Sequence, residues 1–433
     1  MSPEDATTGA RPPGGTGRFL VTLRAGAAAT PERTLRDIAG LRAARSADLH
    51  YAAHALGAAG DAQAIVYERL GVALVAANPE QAQALRASGA RADGAVLAVE
   101  PEQYLAALGR FVDDGGEPSL SAELSTAPTR ADGGALGAGG LAGVAQGESA
   151  PQPDLATMTW GVQVTQAWKS PASGAGIRVA VLDTGFDLSH PDFAGRPIVS
   201  ASFVPGLDVQ DRHGHGTHTA GTACGPVRPP GGSRRYGIAP AATLLVGKVL
   251  DDSGFCEEGW LLAGLDWALR QRADIVSMSL GWHVDAGEGY KVALERAGRA
   301  ALDAGCVLLA AAGNEARQPV YRPANCPSVF AVGALDNSLH RAGFSCIGRN
   351  ADGGELDLAA PGVDVWSSAP MPARYRRMEG TSMATPHVAG CAALWAENHG
   401  LRGRALWAKL LEWVRPLGEP RDEVGRGLVQ APW

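Results

Sequence analysis

The chain has no run of eighteen apolar residues, so nothing in it reads as a membrane-spanning helix. It opens on Met1-Ser2-Pro3-Glu4-Asp5 with neither a basic stretch nor an apolar core behind it, and no secretory signal is legible. The expectation is a cytoplasmic protein, with secretion by an unrecognised route as the alternative. CxxC pairs are absent, and six cysteines, Cys224, Cys256, Cys306, Cys326, Cys346 and Cys391, are scattered. An even count permits three disulfides, but settings such as Gly305-Cys306-Val307-Leu308 suit buried structural thiols. A strong excess of either charge is also missing: 38 Lys and Arg stand against 45 Asp and Glu, a net charge of -7. That balance argues against nucleic acid as partner and leaves a soluble globular protein; no membrane partner is expected, and the protein is expected to be a monomer. With 433 residues, 45% of them hydrophobic, there is material for one large domain and a smaller one.

Residues 1–17 are rich in Gly, Pro and Thr and are expected to be disordered. Residues 18–108 read as a small α+β domain, with strands at 19–23, 64–67, 72–75 and 95–99 and helices at 31–49 and 79–88. Residues 109–155 are dominated by Gly, Ala, Ser and Pro and read as a linker. From 156 to 433 largely apolar strands, at 177–182, 243–246, 275–278, 307–310 and 329–332, alternate with helical stretches at 258–272 and 288–304, and a short helix follows at 404–414. Apolar strands alternating with helices predict an α/β fold: a doubly wound, mostly parallel sheet with helices on both faces. Such sheets bind ligands beyond the carboxyl ends of their strands.

The segment Gly380-Thr381-Ser382-Met383-Ala384-Thr385-Pro386-His387-Val388-Ala389-Gly390 sets a hydroxyl at the start of an apolar helix closed by Gly400. Free N–H groups and the positive dipole end there favour an attacking alkoxide and the oxyanion it creates. Pro386 reads as part of the first turn, where its missing N–H costs little. On its own a Gly-Thr-Ser cap is unremarkable. A hydroxyl becomes a nucleophile near neutral pH only with a base, a carboxylate to orient that base, and donors for the oxyanion.

Each of those parts is present. Asp183 ends the strand 177–182, His215 stands where the loop Asp211-Arg212-His213-Gly214 turns into a small-residue helix, and Asn314 follows the strand 307–310. A zinc site from Asp211, His213, His215 and His218 is a rival reading. Against it, Gly214, Gly216 and Thr217 suit a tight loop into a helix, and the spacing is not HExxH, so no metal is assigned.

The motifs Asp183-Thr184-Gly185, His215-Gly216-Thr217-His218, Ala311-Ala312-Gly313-Asn314 and Gly380-Thr381-Ser382-Met383 closely resemble those of the subtilisin-like serine proteases, whose Asp, His, Ser order is the one known for subtilisin. The resemblance spans about 155–432 and implies a serine endopeptidase that acts through an acyl-enzyme. It implies Ser382 as nucleophile, His215 as base, Asp183 as orienting carboxylate and the Asn314 amide with the Ser382 N–H as oxyanion hole. It further implies a substrate-binding edge at Ser279, Leu280 and Gly281, and a pocket wall for the residue before the scissile bond at Ala311, Ala312 and Gly313. Tyr321 or Arg322 is expected to narrow or charge that pocket. Substrates are then proteins or peptides, and the chemistry needs no cofactor. Structural calcium is weakly indicated: Asp192 matches a family ligand, but the segment 225–236 lacks the oxygen donors to complete a site. Residues 18–108 resemble the family's propeptide domain, which implies an intramolecular inhibitor whose C-terminal tail lies in the cleft, and a zymogen.

Overall fold

The computed structural model describes residues 16–24, 30–49, 56, 60–112 and 155–433, apart from 232–233, 286, 349, 351 and 353. The expected disorder of 1–17 and most of the linker therefore lie outside the described residues.

Near the N-terminus, β1 (Phe19–Leu23), α1 (Pro31–Ala39), β2 (Ala43–Arg45), β3 (Ala64–Tyr67), β4 (Val72–Val75), α2 (Pro79–Gly89) and β5 (Val96–Pro101) follow in order. Its five strands form one sheet in the order β2-β3-β4-β1-β5. Both helices start on a capped proline turn: Thr30 accepts from the Arg33 N–H, and Asn78 with Gln81 closes a reciprocal box. Helix α1 is shorter than the predicted 31–49. Gly40, at φ 63°, turns left-handed and ends it, and Ala43–Arg45 pair with β3 instead.

Two short strands come next, β6 (Tyr104–Ala107) and β7 (Arg110–Phe111). The larger unit then contributes α3 (Trp160–Val164), β8 (Arg178–Asp183), β9 (Ile198–Ser202), α4 (His215–Cys224), β10 (Thr243–Lys248), β11 (Phe255–Glu257), α5 (Glu258–Arg270), β12 (Ile275–Met278), β13 (Leu280–Gly281), α6 (Val292–Asp303), β14 (Val307–Ala311) and β15 (Phe330–Leu335). It closes with β16 (Leu358–Pro361), β17 (Val365–Ser368), β18 (Tyr375–Glu379), α7 (Thr381–His399), α8 (Gly403–Glu412), β19 (Val414–Arg415), α9 (Arg421–Val424) and β20 (Leu428–Val429).

A nine-stranded sheet runs β19-β20-β16-β15-β14-β12-β8-β10-β9, parallel throughout except for the β19–β20 pair at its edge. One face packs Val179, Val181, Leu309 and Val332 against α4 and α7, and the other packs Ala180, Leu182, Val276 and Leu308 against α5 and α6. The predicted α/β sheet with helices on both faces is what these residues build, because strands buried on both sides are apolar at most positions. Among the described residues no helix is long and apolar enough to cross a membrane.

Docking of the N-terminal sheet on α5 and α6 relies on two carboxylates. Glu100 accepts from the Val292 and Ala293 N–H groups at 2.9 Å each, and Glu102 accepts from the Gly259 N–H at 2.8 Å. Helix N-termini carry unpaired donors and the positive dipole end, so each contact is worth about 0.5–2 kcal/mol. Glu102 is fully buried and also pairs with Arg18 at 2.6 Å. Its carboxyl is pushed up by burial and drawn back down by Arg18.

Candidate active site

Strand β8 delivers Asp183 to the carboxyl edge of the sheet, where its Oδ1 lies 2.7 Å from His215 Nδ1. The second oxygen, Oδ2, accepts from Thr219 Oγ1 at 3.1 Å, and the Thr184 N–H donates to Oδ1 at 2.7 Å. The carboxylate is thereby fixed from three sides. His215 is the first residue of α4, launched by Gly214 at φ 101°, a conformation that favours glycine. Its ring is fully buried, and Nε2 has no hydrogen-bond partner.

Ser382 sits in the first turn of α7, behind Gly380 at φ 146°. Its hydroxyl donates to the Ser279 carbonyl at 2.9 Å rather than to His215. Pro386 falls in the second turn of this helix, not the first. The carbonyl its missing N–H would have served, that of Ser382, accepts instead from Ser279 Oγ at 2.7 Å, so the proline leaves no unpaired group.

Strand β6 lies in the cleft between β11 and β13, antiparallel to both. Ala107 N donates to Gly254 O at 2.9 Å and Leu108 N to Ser279 O at 3.2 Å. The Leu108 carbonyl then receives Asn314 Nδ2 at 2.5 Å and the Ser382 N–H at 3.4 Å. Asn314 is oriented by its other amide atom, Oδ1, which accepts from the Thr381 N–H and Thr381 Oγ1, both at 2.9 Å. A Cβ at Gly380 would collide with that same Leu108 carbonyl oxygen, which explains the glycine.

The Leu108 side chain packs with Ala311, Tyr321 and Cys346. Of the three small residues expected to wall this pocket, Ala311 touches Leu108, and the Ala312 side chain belongs to the core below the sheet. Gly313, at φ 112°, leaves room for the Tyr321 ring, since a Cβ there would lie 2.6 Å from Tyr321 Cδ1. Tyr321 thus narrows the pocket. Arg322 does not charge it: its guanidinium is turned to Gln103, to Glu288 at 2.9 Å and to the His283 carbonyl at 3.1 Å.

The chain continues without leaving the site. A Cβ on Gly109 would lie 2.9 Å from His215 Nε2 and 3.2 Å from Met383 Sδ, and β7 beyond it pairs with β18. Residues 110–111 of the run 109–155 assigned to a linker therefore form a paired strand. Its sequence hid this, because Gly109-Arg110-Phe111 has no alternation and takes its partner from more than 260 positions away.

His218 is turned from this cluster. Its Nε2 donates to the Val365 carbonyl at 2.9 Å, and burial lowers its pKa to about 3, as it lowers that of His387 to about 4. His213 is likewise lowered, by burial and then by His215. Among the described residues no group of three or more His, Cys, Asp and Glu is placed to hold a metal ion, and all six cysteines are free and buried.

The donor set around Asp192 does not suit calcium. Both carboxylate oxygens are engaged by protein donors: Tyr236 Oη at 2.7 Å, Tyr375 Oη at 2.9 and 3.1 Å, and the Arg374 guanidinium at 2.9 Å. Calcium takes six to eight oxygens, and here a guanidinium already supplies the positive charge. Thermal melts in excess EGTA and in excess calcium are expected to coincide. Arg374→Ala should lower stability by about 1.5–3 kcal/mol, the value of a hydrogen bond to a charged group, read as a shifted denaturant midpoint. A melt that rises with calcium would contradict this.

Comparison with known families places the chain in one of them. The Subtilase family profile matches residues 174–420, more than half of the chain, so the chain belongs to that family. Subtilisin NAT of Bacillus subtilis subsp. natto is 42% identical over 233 residues, covering 52% of this chain and 57% of that protein. An intracellular serine protease of Paenibacillus polymyxa is 36% identical over 288 residues, 62% of this chain and 84% of its own. A thermostable alkaline protease of Halalkalibacterium halodurans is 39% identical over 280 residues, 64% and 73%. The chain spans little more than half the length of the Bacillus subtilis subtilisins that it matches.

Proposed function

We propose that this protein is a serine endopeptidase that binds its own segment 104–111 as a first substrate. The observation that carries the proposal is the Leu108 carbonyl, held by Asn314 Nδ2 at 2.5 Å while the residues before it form a strand between β11 and β13. In this reading the Ser382 hydroxyl leaves the Ser279 carbonyl for the free Nε2 of His215. Such hydrogen bonds are commonly unmade or long before the reacting state forms. Oγ attacks the Leu108 carbonyl carbon as its proton passes to Nε2, and Asp183 stabilises the imidazolium through Nδ1. The oxyanion is held by Asn314 and the Ser382 N–H, whose 3.4 Å contact shortens as charge develops. His215 then gives the proton to the Gly109 nitrogen, the Leu108–Gly109 bond breaks, and water hydrolyses the acyl-enzyme by the same proton route.

Until that cut, residues 18–108 act as an intramolecular inhibitor. The docked sheet holds the tail in place, and the tail excludes other protein or peptide substrates from the cleft. A serine-directed phosphonate tests the assignment. The adduct is expected on Ser382 by peptide mapping, with hydrolysis of a denatured protein substrate lost in step with labelling. Hydrolysis that survives full labelling would count against Ser382 as nucleophile.

A further inference from the structure

Beyond the scissile bond lies a strand whose role the chemistry does not use. β18 pairs with β17 on one side and with β7 on the other, so without β7 its second edge would stand open. Met378 faces Phe111 and Glu379 faces Arg110 in register, and the Val112 N–H donates to the Arg377 carbonyl at 3.0 Å. The Arg110 guanidinium pairs with Glu379, whose side chain is 17% exposed, and among the described residues no other cation pairs with this carboxylate. Phe111 packs against Val365, Met378 and Met383, with the Arg376 guanidinium 5.1 Å from its ring centroid and the His213 ring at 6.1 Å.

We infer that β18 is a binding edge for the substrate segment that follows the scissile bond. Glu379 selects a basic residue two places beyond the bond, and the Val365–Met378–Met383 pocket selects an aromatic one three places beyond. Main-chain pairing supplies affinity on such an edge and the side-chain sites supply selectivity. A guanidinium over an aromatic ring adds attraction that an aliphatic residue at that place would forgo. The substrate class is then a peptide with leucine before the bond, glycine after it, and a basic–aromatic pair next. This rests on the proposed register of Leu108–Gly109 over Ser382.

Two measurements on the full chain test it. In the Ser382→Ala background no catalysis is needed, and hydrogen exchange at the Val112 amide reports whether β7 stays on β18. Glu379→Arg is expected to speed that exchange about fivefold, near the upper end for a mostly exposed ion pair, and Glu379→Gln by less. Adding Arg110→Glu to Glu379→Arg is expected to restore protection. Exchange that ignores Glu379→Arg, or is not rescued by the paired reversal, overturns the subsite whether or not the protein is a protease.

The second measurement compares kcat/KM for Leu-Ala-Ala-Leu-Gly-Arg-Phe and for the same peptide with Glu in place of Arg. Wild type is expected to favour the first about fivefold, and Glu379→Arg to reverse the order. Because each variant is scored by its own ratio, a loss of folded protein cancels. Equal rates for both peptides in wild type sink the subsite and leave the protease standing. Cleavage of neither peptide by wild type whose Leu108–Gly109 bond has already been cut sinks the protease reading, and the exchange result alone then decides the subsite.

Discussion

Ser382→Ala is expected to lower peptide hydrolysis by about 10⁶, the size known for loss of the nucleophile in subtilisin, a member of the same family. The reason lies in how the parts depend on one another. The buried imidazole of His215, held by Asp183 at 2.7 Å, has nothing to deprotonate once the hydroxyl is gone. What remains is the oxyanion hole and the strand pairing, which bind the substrate and leave only a slow residual hydrolysis. The fold should tolerate the change, because the Ser382 hydroxyl makes one hydrogen bond, to the Ser279 carbonyl, and that carbonyl keeps the Leu108 N–H at 3.2 Å. Steady-state hydrolysis of a leucine-containing peptide, with a melting curve as control, reads both expectations. Activity within tenfold of wild type would mean that another group is the nucleophile.

Asn314→Ala is expected to cut kcat by about 10²–10³ with KM little changed, the magnitude known for the same donor in subtilisin. Nδ2 meets the Leu108 carbonyl at 2.5 Å, whereas the second donor, the Ser382 N–H, stands off at 3.4 Å. Removing the nearer donor leaves the weaker one to hold the oxyanion alone. Because the contact strengthens as the carbonyl becomes an alkoxide, its loss is felt in turnover more than in binding. Thr381 would also lose the acceptor for its N–H and hydroxyl, so a stability loss of about 1–3 kcal/mol is expected alongside. A rise in KM at constant kcat would instead mean that Asn314 only binds the ground state.

Much of both sheets could be read in advance because many of their strands are buried throughout. Ala64–Tyr67, Val72–Val75 and Ile275–Met278 begin and end where their apolar runs do. The turn chemistry was legible as well, with Pro31 and Pro79 opening helices and Gly400 closing α7. Asp183, His215, Asn314 and Ser382 stood out by their small-residue surroundings at strand and helix ends, and the structure brings Asp183 to His215 and brings Asn314 and the Ser382 N–H to one carbonyl. Tyr104–Ala107 and Tyr375–Glu379 gave no such sign. Tyr104–Ala107 pairs with residues 255–257 and 280–281 and Tyr375–Glu379 with 110–111, all far away in the chain, and local periodicity carries no trace of that. Glu379 and Phe111 were invisible for the same reason. Helix α1 was overdrawn where Gly40 should have ended it, because the Ala-rich run beyond Gly40 has high helix propensity that tertiary pairing with β3 overrides. The Asp192 carboxylate invited a calcium ion that Arg374, 182 positions later, makes superfluous.

The most direct test of the account is the intact mass of wild type beside Ser382→Ala over a time course at neutral pH. Wild type is expected to resolve into two fragments that meet between Leu108 and Gly109, while the variant stays at full length. Two chains that both remain whole, or that are cut alike at any bond, would contradict the claim that this site takes its own strand as substrate.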